Sequence, residues 1–163
     1  MDAVTATQPV TTFDSVPGTL RHINKVQTHV SEFTYAMTQR AAVHDASKLT
    51  GIERECLDAI GPQERVEVGS PEYARRLALL GPMIEHHNAN NSHHPEHYVD
   101  GIEGMDLFDL VEMLCDWMAA AEERDPTGFN IEKSLEYVGR KHTLTRQVAN
   151  ILRNTANRWP KTV

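Results

Sequence analysis

The 163-residue sequence lacks several features that mark whole classes of protein. Its two cysteines, Cys56 and Cys115, have no CxxC spacing, which does not suit a disulfide framework and favours reduced core residues in a cytosolic protein. No apolar run approaches the ~18 residues that a membrane helix needs. The first residues, MDAVTATQPVTTFDS, do not combine a basic region with an apolar one and so do not predict a signal peptide. We therefore expect a cytoplasmic protein without a membrane partner.

Positive charge is also scarce. The chain has 16 Lys and Arg against 23 Asp and Glu, and its formal net charge is −7. Because binding of a long nucleic-acid duplex requires a cationic stripe, such a partner is not expected. A small phosphorylated ligand remains compatible with the charge, since bound metal ions would supply local positive charge. The sequence leaves open whether the chain forms a homo-oligomer.

The alternation of Val and Ile that marks β-strands is missing, whereas apolar residues recur at spacings of three and four. This pattern predicts an all-α fold. We expect a flexible N-terminal arm over residues 1–16, followed by a single bundle of six or seven helices over residues 17–163.

Capping residues and glycines predict the individual helices. The first should cover Pro17–Arg40, with Ser15 as its cap. A short second helix should carry RAAVHDASK, and a third IERECLDAI. The segment QERVEVGS is predicted as a loop. A fourth helix begins after Ser70, has a candidate kink at Gly81-Pro82, and should end before a loop formed by the Asn-rich segment. Three more helices are expected over residues 105–124, 130–139 and 143–158.

Candidate metal ligands begin with the dipeptide His44-Asp45. An imidazole nitrogen and a carboxylate oxygen are good ligands for Zn, Fe, Mn or Ni. Adjacent side chains on a helix point about 100° apart, so they share a target mainly when that target is a metal close to the helix. Alone, the dipeptide is more typical of a solvated pair at a helix start. His22 and His29 lie seven residues apart on one face of the first helix, where a satisfied core histidine is more common than a ligand.

A second set of candidates lies on the helix containing DLVEMLCDW. Asp109, Glu112 and Asp116 are spaced by three and four residues and share one face. A solvated face would explain this spacing. However, Asp116 is flanked by Cys115 and Trp117 and precedes three alanines, and an isolated carboxylate in such apolar surroundings would be costly. A bound cation would relieve that cost.

In their order, HINKV at His22, VHDASK at His44-Asp45 and LCDWMAA at Asp116 resemble the motifs of the HD-domain superfamily of metal-dependent phosphohydrolases. The resemblance spans about residues 17–121. More narrowly, HDASK, HHNANNSHHPEHY and DLVEMLCDWMAA resemble a group of small bacterial and phage proteins of that superfamily. The resemblance implies an all-α fold and hydrolysis of a phosphate ester or anhydride, usually in a nucleotide or deoxynucleotide. It also implies a divalent metal (Mn, Zn, Co, Fe, Ni or Mg) held by His22, His44, Asp45 and Asp116, with His29 as the alternative first ligand.

Five histidines lie in the stretch HHNANNSHHPEHY, residues 86–98. Two-metal members of the superfamily carry extra histidines between the HD pair and the final Asp. His87 and His94, followed by His86 and His93, are therefore candidate ligands of a second metal or contacts to phosphate. Because those members space their histidines more widely, a second ion stays open. The alternative is a polar surface loop with one or two satisfied histidines.

The remaining candidates would contact substrate. Lys48, three residues after Asp45, is assigned to phosphate or leaving-group charge, with a surface lysine or an ion pair to Glu53 as the alternative. Asn91 could donate hydrogen bonds to phosphate or ribose, and Tyr98 could stack on a base. Candidate phosphate clamps, each more often a plain surface residue, are Arg40, Arg75 and Arg76. Glu112, His87 or His94 could protonate the leaving oxygen, and Asp109 completes the acidic face.

Together these features predict hydrolysis, in which a metal-bound water attacks phosphorus. Two alternatives remain. The HD scaffold also hosts di-iron oxygenases that use four histidines and two aspartates, and this chain has enough of both. The third reading is a non-catalytic module that binds a metal or a ligand.

Overall fold

The computed structural model describes residues 13–61, 70–123 and 128–160. Within these ranges the chain forms six α-helices and three short 3-10 helices and no strand, which confirms the predicted all-α fold. The contacts divide the chain into two units, one reaching Gln39 and one starting at Arg40. Among the described residues, no helix has the length and apolar character needed to cross a membrane.

Helix α1 covers Val16–Ala42, close to the predicted span. Most of its apolar stripe is exposed, with 43–59% exposure at Val16, Leu20, Ile23, Val26 and Val30. The predicted N-terminal arm lies largely outside the described residues, which begin at residue 13.

A turn at Val43–Asp45 follows α1 and leads into a 3-10 helix over Ala46–Leu49. The predicted second helix over RAAVHDASK is therefore wrong. Asp45 adopts a left-handed conformation with φ of 54°, which ends the helical path. Asp is one of the few residues other than Gly that tolerate this conformation. The turn is closed by hydrogen bonds from the Ala46 N–H to the Val43 carbonyl (3.1 Å) and from the Lys48 N–H to the Asp45 carbonyl (2.9 Å).

Helix α2 covers Gly51–Ile60 and ends at Gly61, whose φ of 71° suits glycine. Helix α3 covers Pro71–Asn90, and the Ser70 hydroxyl accepts a hydrogen bond from the Tyr73 N–H, as predicted for its cap. The helix continues past Pro82, which removes only its own N–H from the ladder. The predicted QERVEVG loop lies outside the described residues.

The Asn-rich segment was predicted as loop, and this is wrong for its first half. Helix α3 extends to Asn90, and the Asn90 side chain donates to the His86 carbonyl within the helix (2.8 Å). Two 3-10 helices, Pro95–His97 and Gly101–Gly104, then lead to α4.

Helix α4 covers Leu107–Glu122 and begins with a capping box, in which the side chains of Asp106 and Asp109 each accept a hydrogen bond from the other's N–H. Helices α5 (Ile131–Lys141) and α6 (Arg146–Asn157) complete the second unit near their predicted positions. The buried core comprises Met113, Leu114, Ile131, Leu135 and Leu152. Helix α4 thus packs Met113 and Leu114 into this core, while its Glu112 and Asp116 contact a histidine described next.

Candidate metal centre

Four potential ligand atoms converge in the second unit. They are Asp45 Oδ1 and the Nε2 atoms of His87, His93 and His94. Asp45 Oδ1 lies 3.2 Å from His87 Nε2 and 3.5 Å from His93 Nε2, and the Nε2 atoms of His87 and His94 are 2.9 Å apart. Ligands placed ~2.0–2.1 Å from a tetrahedral metal ion lie roughly 3.3 Å from one another. These three distances lie close to that spacing, and all four atoms lie within 4.8 Å of one another, so the group could hold a metal ion.

Two of these atoms are buried polar atoms whose hydrogen-bonding capacity is unused. Asp45 Oδ1 and His93 Nε2 are buried and have no hydrogen-bond partner among the described residues. Such buried orphans are rare in folded proteins, because each costs the desolvation of a polar group without compensation. A cation between them would satisfy both.

Carboxylates hold the far side of the imidazole rings. Glu53, which is fully buried, lies 2.8 Å through Oε2 from His87 Nδ1 and 2.7 Å through Oε1 from His86 Nδ1, and it accepts a hydrogen bond from the Ser47 hydroxyl (2.9 Å). Glu112 Oε1 lies 2.9 Å from His44 Nδ1. A carboxylate on Nδ1 keeps the proton there and leaves Nε2 free to bind a metal, as in metal-bound histidines generally.

A second group adjoins the first. His44 Nε2 lies 3.6 Å from Asp45 Oδ2 and 3.6 Å from Asp116 Oδ1. Asp45 thus offers one oxygen to each group, as a bridging carboxylate would. A third grouping, His44 with His93 and Glu112, needs no ion, because Glu112 Oε1 pairs with the Nδ1 atoms of both rings, at 2.9 and 3.3 Å.

Local backbone structure brings these side chains together. Because Asp45 lies in a left-handed turn rather than on a helix, His44 and Asp45 both reach Asp116 and the histidine cluster. His93 and His94 lie in the turn that follows α3, which closes when the His94 N–H donates to the Asn91 carbonyl (3.2 Å). The Asn91 side chain donates to the Ser47 hydroxyl (3.1 Å) and the His87 carbonyl (2.8 Å), so it shapes this turn.

The protonation states of His93, His94 and Asp45 suit metal binding, whereas the pKa of His87 is raised, because burial, which lowers it, is outweighed by the carboxylates of Asp45 and Glu53. Burial lowers the pKa of His93 to about 4, with help from the neighbouring His94 and His44, so the ring is neutral at pH 7. Burial and His87 also lower the pKa of His94. Burial acts to raise the pKa of Asp45, but the close contact with His87 and the hydrogen bond from Lys48 outweigh it and hold that pKa well below the ordinary range. Neutral imidazoles and an ionised carboxylate are the forms that bind metals.

A cluster around Arg40 supports this arrangement from behind. The Arg40 guanidinium donates to Glu112 Oε2 (2.7 Å), Asp109 Oδ1 (2.7 Å) and the Ser92 hydroxyl (3.0 Å). Asp109, only 1% exposed, also accepts hydrogen bonds from the hydroxyls of Ser92 (2.7 Å) and Tyr98 (2.6 Å). Arg40 therefore holds Glu112, which in turn contacts His44, while Tyr98 holds Asp109. The predicted contacts of Arg40 to phosphate and of Tyr98 to a base stay predictions.

A cavity of about 880 Å³ opens beside the candidate centre. Its walls include His87, His94 and Asp116, together with Lys48. Lys48 pairs with Asp45 rather than with Glu53, the partner considered from the sequence. Arg75 and Arg76 both bind Glu72 on the surface of α3.

The structure brings some of the predicted ligands together and leaves others apart. His44, Asp45 and Asp116 lie together, and three of the four histidines proposed for a second metal or phosphate lie with them. His86 instead contacts Glu53. His22 and His29 are exposed on α1, and the ligand groups found among the described residues do not include them, so a first ligand from α1 stays a prediction. Glu53 was missed as a support, because its histidine partners are more than 30 residues away in the sequence.

Comparison with known proteins identifies a family but no characterised relative. No curated protein matches the chain, and no solved structure does. One family model matches residues 12–158, which is most of the chain and includes every residue of the candidate centre. The protein therefore belongs to DUF5662, a family of unknown function.

Proposed function

We propose that this protein is a metal-dependent phosphohydrolase of the HD-domain type, acting in the cytoplasm on a phosphate ester or anhydride, with a nucleotide or deoxynucleotide as the first substrate to test. The observation that carries the proposal is the pair of buried, unpartnered atoms, Asp45 Oδ1 and His93 Nε2, surrounded by further imidazole nitrogens. The adjacency of His44, Asp45 and Asp116 supports the HD assignment, because that superfamily takes its ligands from these motifs.

Two ions fit the donor set. Asp45, His87, His93 and His94 would hold one, and His44, Asp45 and Asp116 the other. A divalent ion lowers the pKa of a bound water toward neutrality and so supplies the nucleophile. The oxygen-rich second group and the nitrogen-rich first group differ in ligand type, so the two positions need not prefer the same metal.

The residues of the chain would do the remaining work. Glu53 and Glu112 keep the Nδ1 protons of His87 and His44 in place and so fix the rings. Lys48 lines the cavity beside Asp116 and brings positive charge to a phosphoryl oxygen, where it would stabilise the developing negative charge. The other candidate acids are engaged elsewhere: His87 and His94 turn Nε2 toward the proposed ion, and Glu112 is held by Arg40 and His44. Lys48 is therefore the best placed cavity residue to assist the leaving oxygen.

The test combines metal content with turnover. The protein is purified without chelator or His-tag, its metals are measured by elemental analysis, and phosphate or pyrophosphate release is screened over a nucleotide panel with Mn, Co, Zn or Mg. We expect His44→Ala and His93→Ala to lose bound metal and at least a hundredfold in release. His97→Ala is the matched control, because His97 is an exposed histidine that belongs to none of the candidate ligand groups. Release that survives both centre variants would contradict the proposal.

A di-iron oxidoreductase is a second candidate, favoured by one specific observation. The two adjoining groups contain four histidines and two aspartates: His44, His87, His93, His94, Asp45 and Asp116. This is the ligand count of the oxygenases built on the HD scaffold. Iron at two ions per chain, an EPR or optical signal and oxygen consumption would support it. Phosphate release without oxygen would exclude it. A metal-dependent rise in melting temperature with neither activity would indicate a non-catalytic module.

A further inference from the structure

The cavity beside the candidate centre concentrates positive charge in an otherwise acidic protein. The chain has five lysines and a formal net charge of −7, and three of the lysines, Lys48, Lys133 and Lys141, line this cavity. Lys48 belongs to the centre through its bond to Asp45. The other two lie on α5, which contributes no candidate ligand.

One face of α5 forms this part of the cavity wall. Lys133, Tyr137 and Lys141 are spaced by four residues and therefore follow one another along the helix. The buried residues of α5 are Ile131, Leu135 and Val138, of which Ile131 and Leu135 belong to the core. The core contacts of Ile131 and Leu135 fix the rotation of α5 about its axis. Packing therefore keeps Lys133 and Lys141 on the side of α5 that lines the cavity.

The ammonium groups of the two α5 lysines are at most weakly paired with carboxylates of the described residues. Lys133 has no ion-pair partner among the residues that the structure describes. Lys141 Nζ lies 4.5 Å above the Tyr137 ring and 3.9 Å from Glu96 Oε1, the outer limit of an ion pair. Glu96 Oε1 lies closer to His142 Nε2, at 3.3 Å, and this contact weakens the attraction between Glu96 and Lys141. An anionic ligand could therefore pair with both lysines without breaking a strong existing bond.

Apolar residues line the same cavity and would contact an organic body. Trp117 and Phe129 offer aromatic surface, and Met83 and Ile84 offer aliphatic surface. A volume of about 880 Å³ lies within the ~300–1,000 Å³ typical of small-molecule sites, so the cavity has room for more than a single phosphoryl group.

From these observations we infer that Lys133 and Lys141 form an anion subsite, and that the substrate is an organic phosphate carrying a second anionic group. The phosphoryl group to be cleaved lies at the candidate metal centre, the organic body contacts the apolar wall, and the second phosphate or carboxylate pairs with the α5 lysines. The inference rests on the proposed function for the first of these contacts only. Lys133 and Lys141 are specificity-determining residues, because they select substrates without touching the reacting atoms.

The experiment compares two ligands that differ in one anionic group, thymidine 5′-monophosphate and thymidine 3′,5′-bisphosphate, with the Mn²⁺-loaded protein. We expect Lys133→Gln and Lys141→Gln each to raise the KM of the bisphosphate about threefold to fivefold, because a partly exposed ion pair is lost, with kcat unchanged. The KM of the monophosphate should stay within twofold. Arg140→Gln is the matched control, since this exposed α5 cation pairs with Glu136 and does not line the cavity.

Calorimetric binding of both nucleotides separates this inference from the proposed function. If the protein turns over neither nucleotide but binds the bisphosphate more tightly than the monophosphate, and the lysine variants abolish the difference, the subsite stands and the hydrolase proposal falls. If turnover occurs but the lysine variants affect both nucleotides equally or neither, the subsite is wrong and the hydrolase proposal stands. Absence of both turnover and selective binding would overturn the two together.

Discussion

Replacement of Arg40 by Met should destabilise the metal-free protein by roughly 3 kcal/mol. Arg40 donates at 2.7 Å to both Asp109 and Glu112, whose side chains are only 2% and 11% exposed. Charge-assisted hydrogen bonds contribute ~1.5–3 kcal/mol each, and removal of one partner of a buried ion pair costs ~3–5 kcal/mol. The Arg40 side chain is itself 30% exposed, so water offsets part of the loss. Asp109 also keeps the hydrogen bonds from Ser92 and Tyr98.

Urea denaturation of chelator-treated protein measures this loss directly, and thermal unfolding should show a fall of roughly 6–12 °C at ~2–4 °C per kcal/mol. Arg54→Met is the matched control, because Arg54 and Asp58 form an exposed pair at 3.4 Å whose removal costs ~0–1 kcal/mol. Adding Asp109→Asn to Arg40→Met should recover part of the stability by removing the unpaired charge. A loss at Arg40 no larger than that at Arg54 would refute the assignment of Arg40 as the support of these carboxylates.

Three further predictions concern the centre and its surroundings. Mn²⁺ or Zn²⁺ at 100 times Kd should stabilise chelator-treated protein by ~2.7 kcal/mol and so raise its melting temperature. His93→Ala should abolish the rise, while His97→Ala, outside the ligand groups, should keep it. Glu53→Gln should weaken metal binding about 10–100-fold in a competition titration, whereas Glu55→Gln on the exposed side of α2 should leave it unchanged. Burial acts to raise the pKa of Asp109, but its hydrogen bonds from Tyr98, Ser92 and Arg40 outweigh it and lower that pKa below the ordinary 3.8. The stabilising contribution of ionised Asp109 is therefore complete above pH 3.8 and is lost at lower pH. Urea denaturation from pH 7 to pH 3 should show that the stability difference between wild type and Asp109→Asn shrinks below about pH 4. A difference that stays constant over this range would refute the lowered pKa.

The helices could be predicted from the sequence because their signals are local. Ser70 with Pro71 starts α3, and apolar residues at spacings of three and four mark α4 and α6. The turn at Asp45 could not, because RAAVHDASK has ordinary helix formers, and contacts to distant residues such as His87 accompany the left-handed conformation there. Similarly, nothing near Glu53 in the sequence indicates its two histidine partners on α3.

The ligands of the candidate centre could likewise be predicted from the sequence only in part. The resemblance to the HD-domain motifs suggested His44, Asp45 and Asp116, and for Asp116 the apolar neighbours in the sequence added that an isolated carboxylate there would be costly. The choice among His86, His87, His93 and His94 depends on which ring nitrogen faces Asp45. That orientation is set by Glu53 and by the Asn91 turn, which are tertiary features.

The left-handed backbone of Asp45 has an evolutionary consequence. Asn is the residue that best shares the tolerance of Asp for this conformation, so Asp45→Asn would preserve the turn while removing the carboxylate that both ligand groups share. A single nucleotide change suffices for that exchange. A chain with Asn at this position should therefore keep the fold and the lysine-lined cavity while losing the carboxylate that both ligand groups share.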